Sequence, residues 1–320
     1  MKILITGING FIGARYAARL KSKNDARIVG VDIQPHAQHG LCDEYIPLDL
    51  GSPDGAAAMR QQSGFDYVLH AGGISGFMVE TDNPQRIFDV NVGGTMAVLE
   101  MALRNACRRL VLCSTLMVYG PDRDHGLEHG ETEYPQPISV YGGSKLAIEA
   151  LMHAFAGQYG LDAVALRFTH VYGPGRTTEC FIREMLASAA EGRACRIPQA
   201  SASLRQYVHI DDVCDSIALA MEAGSLSSRV FNISADEMHT LAEAAEMVRR
   251  VTGTLVEVTF NERRDLPNYR IGKLSIRRAR EELGFRPRFG LEAGIADYWS
   301  SSFRRPLSHT QGTPGGNGER

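Results

Sequence analysis

The chain has 320 residues, enough for one large α/β domain and a smaller lobe. An apolar content of 44%, a charged content of 22% and a net charge of -3 are those of an ordinary globular protein and argue against a nucleic-acid partner. No apolar run reaches membrane-spanning length, which argues against a membrane partner.

The chain opens on Ile3, Leu4 and Ile5, an apolar run suited to a buried parallel strand. Thr6-Gly7-Ile8-Asn9-Gly10-Phe11-Ile12-Gly13 follows it. Gly7 permits a sharp turn, Gly10 removes a side chain where a pyrophosphate would approach, and Gly13 lets the next helix pack closely. The N–H groups opening that helix, residues 11–23, face the phosphates with a favourable dipole. Arg27 to Asp32 reads as the second strand, ending in a carboxylate about 20 residues after the turn, where a ribose diol sits. Asp32 repels a 2′-phosphate, so the expected cofactor is NAD rather than NADP. A strand so close to Met1 leaves no room for a signal peptide, and the six scattered cysteines lack C-x-x-C spacing. We expect reduced thiols, no metal site and a cytoplasmic location.

Strand and helix patterns then alternate. Strands are expected near residues 45–48, 65–70, 109–114 and 163–167, and helices at 53–62, 84–106 and 140–159. The helix at 84–106 is expected to align Phe88, Val92, Met96, Leu99 and Leu103 along one side. Such alternation predicts an α/β fold: a doubly wound parallel sheet of the Rossmann type over residues 1–170, to which later segments return. Residues 171–304, with helices near 178–190 and 240–252 and a short strand at 255–260, are expected to form a smaller α/β substrate lobe. Residues 305–320 read as a disordered tail.

Tyr141 and Lys145 are four residues apart, so a helix places them on one face. A free phenol is a poor base near neutrality, with a pKa of about 10. A neighbouring ammonium lowers that value, so the tyrosine accepts a hydroxyl proton as hydride leaves the same carbon. Ser114 and Thr115, ending the strand before Leu116, are placed to hydrogen-bond the reacting oxygen.

With these motifs in order, the chain resembles the extended short-chain dehydrogenase/reductase family, in its NAD-dependent sugar epimerase/dehydratase branch. The resemblance also rests on Asp49-Leu50, His70-Ala71-Gly72-Gly73, Asn91-Val92-Gly93-Gly94-Thr95, Tyr119-Gly120 and Arg205-Gln206-Tyr207-Val208-His209-Ile210-Asp211-Asp212. It implies that Gly7, Gly10 and Gly13, with the N–H groups of Phe11 and Ile12, line the pyrophosphate. It places Asp32 on the adenosine ribose, Asp49 and Leu50 near the adenine, and Ala71, Gly72 and Gly73 beneath the cofactor. Asn91 becomes a positioning residue, Tyr141 the acid/base, Lys145 its electrostatic partner and Thr115, with Ser114 beside it, the partner of the substrate oxygen. The backbone from Phe168 to Val171 touches the nicotinamide. The family also implies a homodimer built on helices 84–106 and 140–159.

Leu116 and Met117 stand where family dehydratases carry an Asp-Glu pair, and neither moves a proton, so that route of water loss is disfavoured. The pattern is nearer to sugar 4-epimerases. Arg205 corresponds to an arginine that grips the diphosphate of nucleotide-sugars, a task suited to a guanidinium. Arg263, Arg264 and Arg270 lie in a second diphosphate-like stretch, with Glu262 and Asp265 as alternative local partners. Against this, His170 replaces the usual asparagine and Ser275 a common aspartate, so a free sugar or sugar acid is the competing substrate and a net dehydrogenase the competing activity. Ser75, in the loop Gly73 to Met78, and Arg176, in Gly173-Pro174-Gly175-Arg176, are candidate walls of the sugar pocket or plain connections.

Overall fold

A computed structural model describes residues 1–24, 26–75, 83–121, 128–262 and 271–303. The chain begins β1 (Lys2–Thr6), α1 (Phe11–Lys23), β2 (Arg27–Asp32), β3 (Glu44–Pro47), α2 (Pro53–Gln61) and β4 (Tyr67–His70). It continues through α3 (Pro84–Phe88), a π-helical turn (Asp89–Gly93), α4 (Gly94–Arg104), β5 (Arg109–Thr115), α5 (Val140–Tyr159) and β6 (Ala163–Phe168). Then come β7 (His170–Tyr172), α6 (Phe181–Glu191), β8 (Cys195–Ile197), β9 (Leu204–His209), α7 (Ile210–Glu222) and β10 (Val230–Ile233). The last elements are β11 (Met238–Thr240), α8 (Leu241–Thr252), β12 (Val258–Phe260), α9 (Arg277–Glu282) and α10 (Leu291–Ser302).

Seven strands form one parallel sheet in the order β3-β2-β1-β4-β5-β6-β10. Order reverses between β1 and β4, and ligands of doubly wound sheets bind at the carboxyl ends beside such a reversal. Successive strand side chains point to opposite faces. Ile3 and Ile5 therefore join Tyr16, Leu20, Val213 and Ile217 of α1 and α7, while Leu4 joins Val98, Met152 and Phe155 of α4 and α5. Both faces are covered, which is why these strands are almost continuously apolar.

Helix ends follow local chemistry. The Ser139 hydroxyl accepts from Gly142 N at 3.1 Å and starts α5, and Gly160 at φ +70° ends it. The helix expected at 84–106 runs as α3, the π turn and α4. The wider turn rotates the buried face. Ile87, Asn91, Thr95 and Val98 point inward, whereas Phe88, expected inside with Leu99, is 55% exposed.

Beyond residue 170, β10 lies in the main sheet beside β6. A three-stranded sheet (β11-β9-β7) and a two-stranded sheet (β12-β8) stand apart from it. Ile182, Leu186, Leu241, Val248 and Ile295 of α6, α8 and α10 form a separate core there. All six cysteines are free thiols. Among the described residues, no helix is long and apolar enough to cross a membrane. Arg263, Arg264, Arg270, residues 76–78 and residues 305–320 lie outside the described residues.

Candidate active site

The glycine turn joins β1 to α1 and is held by backbone contact. Gly7 has φ +67°, and a Cβ on it would lie 2.7 Å from the Gly72 backbone at the end of β4. A Cβ on Gly13 would lie 2.2 Å from Gly7 O, so neither position accepts a side chain without displacing backbone. No side chain caps α1 and no acid lies in its first turn, so the N–H groups of Phe11 and Ile12 are suited to an anion. The Asp32 carboxylate accepts from Asn9 N at 3.0 Å and from Gln34 N at 3.2 Å, which fixes it at the end of β2 beside the turn. Side-chain-free backbone, an uncapped helix end and a carboxylate one strand away fit a dinucleotide with a ribose diol. Asp49 accepts from Arg86 Nη2 at 2.8 Å and from Gly51 N at 2.9 Å, and Leu50 is buried next to it.

A proton chain runs beneath this cradle. Gly72 N donates to Thr6 Oγ1 (3.1 Å), which meets His70 Nδ1 at 2.6 Å; His70 Nε2 meets Thr95 Oγ1 at 2.9 Å, and Thr95 donates to Asn91 O at 2.5 Å. With Thr95 donating to a carbonyl, a neutral His70 carries its proton on Nε2 and accepts at Nδ1. Burial, aided by the charge of Lys145, pushes its pKa down to about 3. Asn91, in the π turn, accepts from Ile74 N at 2.8 Å and donates to Ile74 O and to Ser144 Oγ. It thereby ties the segment Ala71 to Ile74 to α5, as a positioning residue should. Ser75 ends that described segment.

Tyr141, Lys145 and Thr115 lie at the carboxyl end of β5 and in α5's first turns. Gly142 makes this possible: a Cβ there would lie 2.6 Å from Met117 O, so the helix start can approach the strand end. Thr115 hydrogen-bonds the Tyr141 phenol. Lys145 is 8% exposed and donates to Cys113 O at 3.0 Å, and a Cβ on Gly73 would lie 3.5 Å from its Nζ. The ammonium therefore faces the cradle rather than solvent. The expectation of a phenol already acidified by Lys145 is corrected. Burial pushes the Tyr141 phenol up to about 12, and the opposing influences are Thr115 and Arg176. The Lys145 ammonium is itself lowered by burial.

Ser114 also departs from expectation. Strand alternation turns it away from Thr115, and its hydroxyl donates to Glu149 Oε1 at 2.5 Å. Glu149 pairs with Arg167 at 2.6 Å, Arg167 donates to the Tyr119 hydroxyl (2.8 Å), and Tyr119 donates to Asn232 Oδ1 (2.8 Å). All five residues are at most 6% exposed. Ser114 is thus a scaffold residue, not a partner of the substrate oxygen. Sequence reasoning assigned no role to Glu149, Arg167, Tyr119 or Asn232. The one available signal was Glu149, four residues after Lys145 on the same helix face.

The opposite wall comes from β7, β9 and the loop after β7. Phe168 is Thr115's register partner across the β5–β6 pair and is buried, with half-buried Val171 close behind. His170 Nδ1 lies 3.1 Å from Gln206 O. Arg205 is 4% exposed and donates to Leu204 O at 2.8 Å and to Gln199. Of the two roles open to Arg176, pocket wall or plain connection, the structure shows the second, in which it spans its own loop. It donates to Val171 O (2.6 Å) and Glu179 O (2.9 Å), with its guanidinium 5.7 Å from the Phe11 ring. Val171 lies on the edge strand β7 and Glu179 in the loop before α6, and Arg176 satisfies both carbonyls. Farther off, His209, Asp211 and Asp297 bring ligand-type atoms within 4.8 Å of one another, but Asp211 is already held by Arg15 at 2.6 and 2.9 Å.

The geometry agrees with known proteins. The chain is 28% identical over 327 residues to a UDP-glucose 4-epimerase of Streptomyces lividans, covering 96% of this chain and 98% of that one. It is 28% identical to a dTDP-glucose 4,6-dehydratase of Mycolicibacterium smegmatis, over 97% of each. Its fold matches the UDP-glucose 4-epimerase of Thermus thermophilus, solved in complex with NAD, at a TM-score of 0.81 and 25% identity, over 94% of this chain and 98% of that one. The model of the NAD-dependent epimerase/dehydratase family matches residues 3–234. An NAD-type cradle, a Tyr/Lys/Thr cluster and this match agree: the chain belongs to the NAD-dependent epimerase/dehydratase family.

Proposed function

We propose that the protein is an NAD-dependent epimerase of a nucleotide-sugar, inverting a secondary alcohol through transient oxidation to the ketone. The observation that carries this reading is the Thr115–Tyr141 hydroxyl pair beside buried Lys145, flanked by Leu116 and Met117. The set can move one proton on and off an alcohol but holds no second acid–base pair for water loss. Gly7, Gly10, Phe11, Ile12 and Gly13 hold the pyrophosphate, Asp32 the adenosine ribose, and Asp49 with Leu50 borders the adenine. Ala71, Gly72 and Gly73 run beneath the cofactor, and the backbone of Phe168 and Val171 borders the nicotinamide. Bound NAD supplies reversible acceptance of hydride from the substrate carbon. Tyr141 Oη takes the hydroxyl proton, Thr115 Oγ1 holds the reacting oxygen, Thr115 and Arg176 oppose the burial that disfavours the phenolate, and Lys145, held on Cys113 O, faces the cofactor side. Tyr141 then returns its proton once the keto sugar has turned its other face. Arg205, Ser75 and His170 form the substrate side, with residues 171–304 contributing most of that lobe. The exposed side chains of Phe88 on α3 and Val140 and Tyr159 on α5 are apolar contacts for a homodimer, and light scattering at twice the chain mass checks that assembly. Six free thiols suit the reducing cytoplasm.

The test is to denature the purified protein, assay released NAD, and follow NADH absorbance while supplying UDP-glucose, other nucleotide-sugars and free sugars. Tightly retained NAD, with epimer formed and no steady NADH, is expected. Stoichiometric NADH with a free sugar establishes instead the competing reading, a net dehydrogenase, which His170 in place of the usual asparagine and Ser275 in place of a common aspartate favour.

A further inference from the structure

We infer that His170 is a specificity-determining residue that accepts a hydrogen bond from a substrate hydroxyl, and that it does not grip a phosphate. The inference rests on the nucleotide-sugar reading for the substrate's class and deepens it. The first step is hydrogen-bond direction. His170 Nδ1 lies 3.1 Å from Gln206 O, and a carbonyl only accepts, so Nδ1 carries the proton. That carbonyl is held in place. The Gln206 side chain is 3% exposed, donates to Ala235 O (2.8 Å) and Leu274 O (3.1 Å), and accepts from Leu274 N at 2.8 Å. A neutral imidazole protonated on Nδ1 has a bare lone pair on Nε2. Nε2 has no hydrogen-bond partner among the described residues, and the residue is not fully buried.

The surroundings keep the ring neutral. Arg205 of β9 and Arg176 of the loop after β7 are the charged groups that bear on it, and the Tyr207 ring packs 5.8 Å away. Burial and these two cations push its pKa down to about 3. An oxyanion set against Nε2 would meet a lone pair, whereas a hydroxyl meets an acceptor. Position identifies which part of the ligand is involved. Thr115 is in register with Phe168, two residues before His170. Adjacent strands lie about 4.8 Å apart and two extended residues span about 6.6 Å, so the His170 backbone lies within about 11 Å of the Thr115 backbone. With both side chains reaching inward, that is the span of one sugar ring whose reacting carbon sits at Thr115 and Tyr141.

The experiment is a double cycle on NAD-loaded protein, read by isothermal titration. The probes are UDP, UDP-glucose and its 2-, 3- and 6-deoxyfluoro analogues, since fluorine cannot donate a hydrogen bond. In the wild type, fluorine at one position should weaken binding about tenfold, the worth of one hydrogen bond. In His170→Phe that same analogue and UDP-glucose should bind within about twofold of each other, and His170→Gln, which keeps an acceptor, should restore part of the discrimination. UDP should bind the wild type and His170→Phe alike, with no pH-dependent difference between them from pH 8 to 6. A tenfold loss of UDP affinity in His170→Phe, or UDP binding that tightens on acidification only while His170 is present, would show a protonated histidine gripping phosphate and overturn the inference. Should UDP and UDP-glucose bind neither protein, the nucleotide-sugar reading fails instead. The cycle then runs on hexoses and their deoxyfluoro forms, where equal discrimination in wild type and variant overturns the role of His170.

Discussion

Ser114 and Thr115 are neighbours on β5, yet they belong to two regions that work differently. Above the strand end, Thr115 meets Tyr141, with Lys145 facing Gly73 close by. Below it, Ser114 enters a closed polar network through Glu149, Arg167, Tyr119 and Asn232. The upper region keeps hydrogen-bonding capacity for a ligand and holds a phenol and an ammonium that burial pushes toward their neutral forms. The lower one uses its capacity internally. A buried Glu–Arg pair is stabilised by these extra bonds, and removing one partner leaves a charge buried alone. Similar side chains therefore report on different quantities: above the strand end the rate, below it the stability.

The strongest way to break this division is Tyr141→Phe. The variant keeps the ring and loses the hydroxyl. Turnover should fall about 10³-fold, within the range ascribed to a positioned acid–base group. Released NAD per chain and the unfolding midpoint should stay near the wild-type values. Turnover within tenfold of wild type would remove the proton transfer from this residue.

A smaller and sharper contrast comes from the neighbouring hydroxyls. Thr115→Val should lower kcat about 10²-fold with little change in stability, because it removes a hydrogen bond to the reacting oxygen. Ser114→Ala should leave kcat within about threefold and lower stability by about 1–3 kcal/mol, the penalty of a buried carboxylate losing a donor. Urea unfolding and steady-state kinetics on both variants separate the regions. The reverse pattern would move the substrate oxygen to the Ser114 side of the strand.

How far the two regions could be read from sequence follows from the reach of their contacts. The glycine turn was legible because its constraints are local: Gly13 meets Gly7 O six residues back, and Asp32 meets Asn9 N across 23 residues of one βαβ unit. Tyr141 and Lys145 were legible through helical spacing. Strand alternation separates Ser114 from Thr115 but does not say which face is up. The lower network was not legible, since Tyr119 finds Asn232 across 113 positions and Arg167 finds Tyr119 across 48. Arg176 stayed open between pocket wall and connection because the need it meets is that of main-chain carbonyls, Val171 on the edge strand β7 and Glu179 in the loop before α6, which no side-chain pattern announces. Phe88 was misplaced because the π turn that rotates the helix face leaves no periodic signature.

The mildest effect expected is a pH dependence that begins under the cradle. His70 bridges Thr6 and Thr95 as a neutral ring, with its pKa depressed by burial from 6.5 to about 3. Between those values the unfolded chain binds a proton that the folded chain refuses, so stability rises with pH across that window. The contribution is fully present above pH 6.5 and drains away as pH falls toward about 3. Its slope is at most about 1.4 kcal/mol per pH unit. His170 is depressed in the same direction, so the total slope does not isolate either ring. The difference between wild type and His70→Gln does. Gln offers a donor and an acceptor but no titration, so the variant's unfolding free energy should fall less steeply from pH 6 to 4 in urea titrations. Parallel curves would mean that His70 already carries its second proton in the fold. The ring would then donate to both hydroxyls, and Thr6 would have to turn its own proton away from Nδ1.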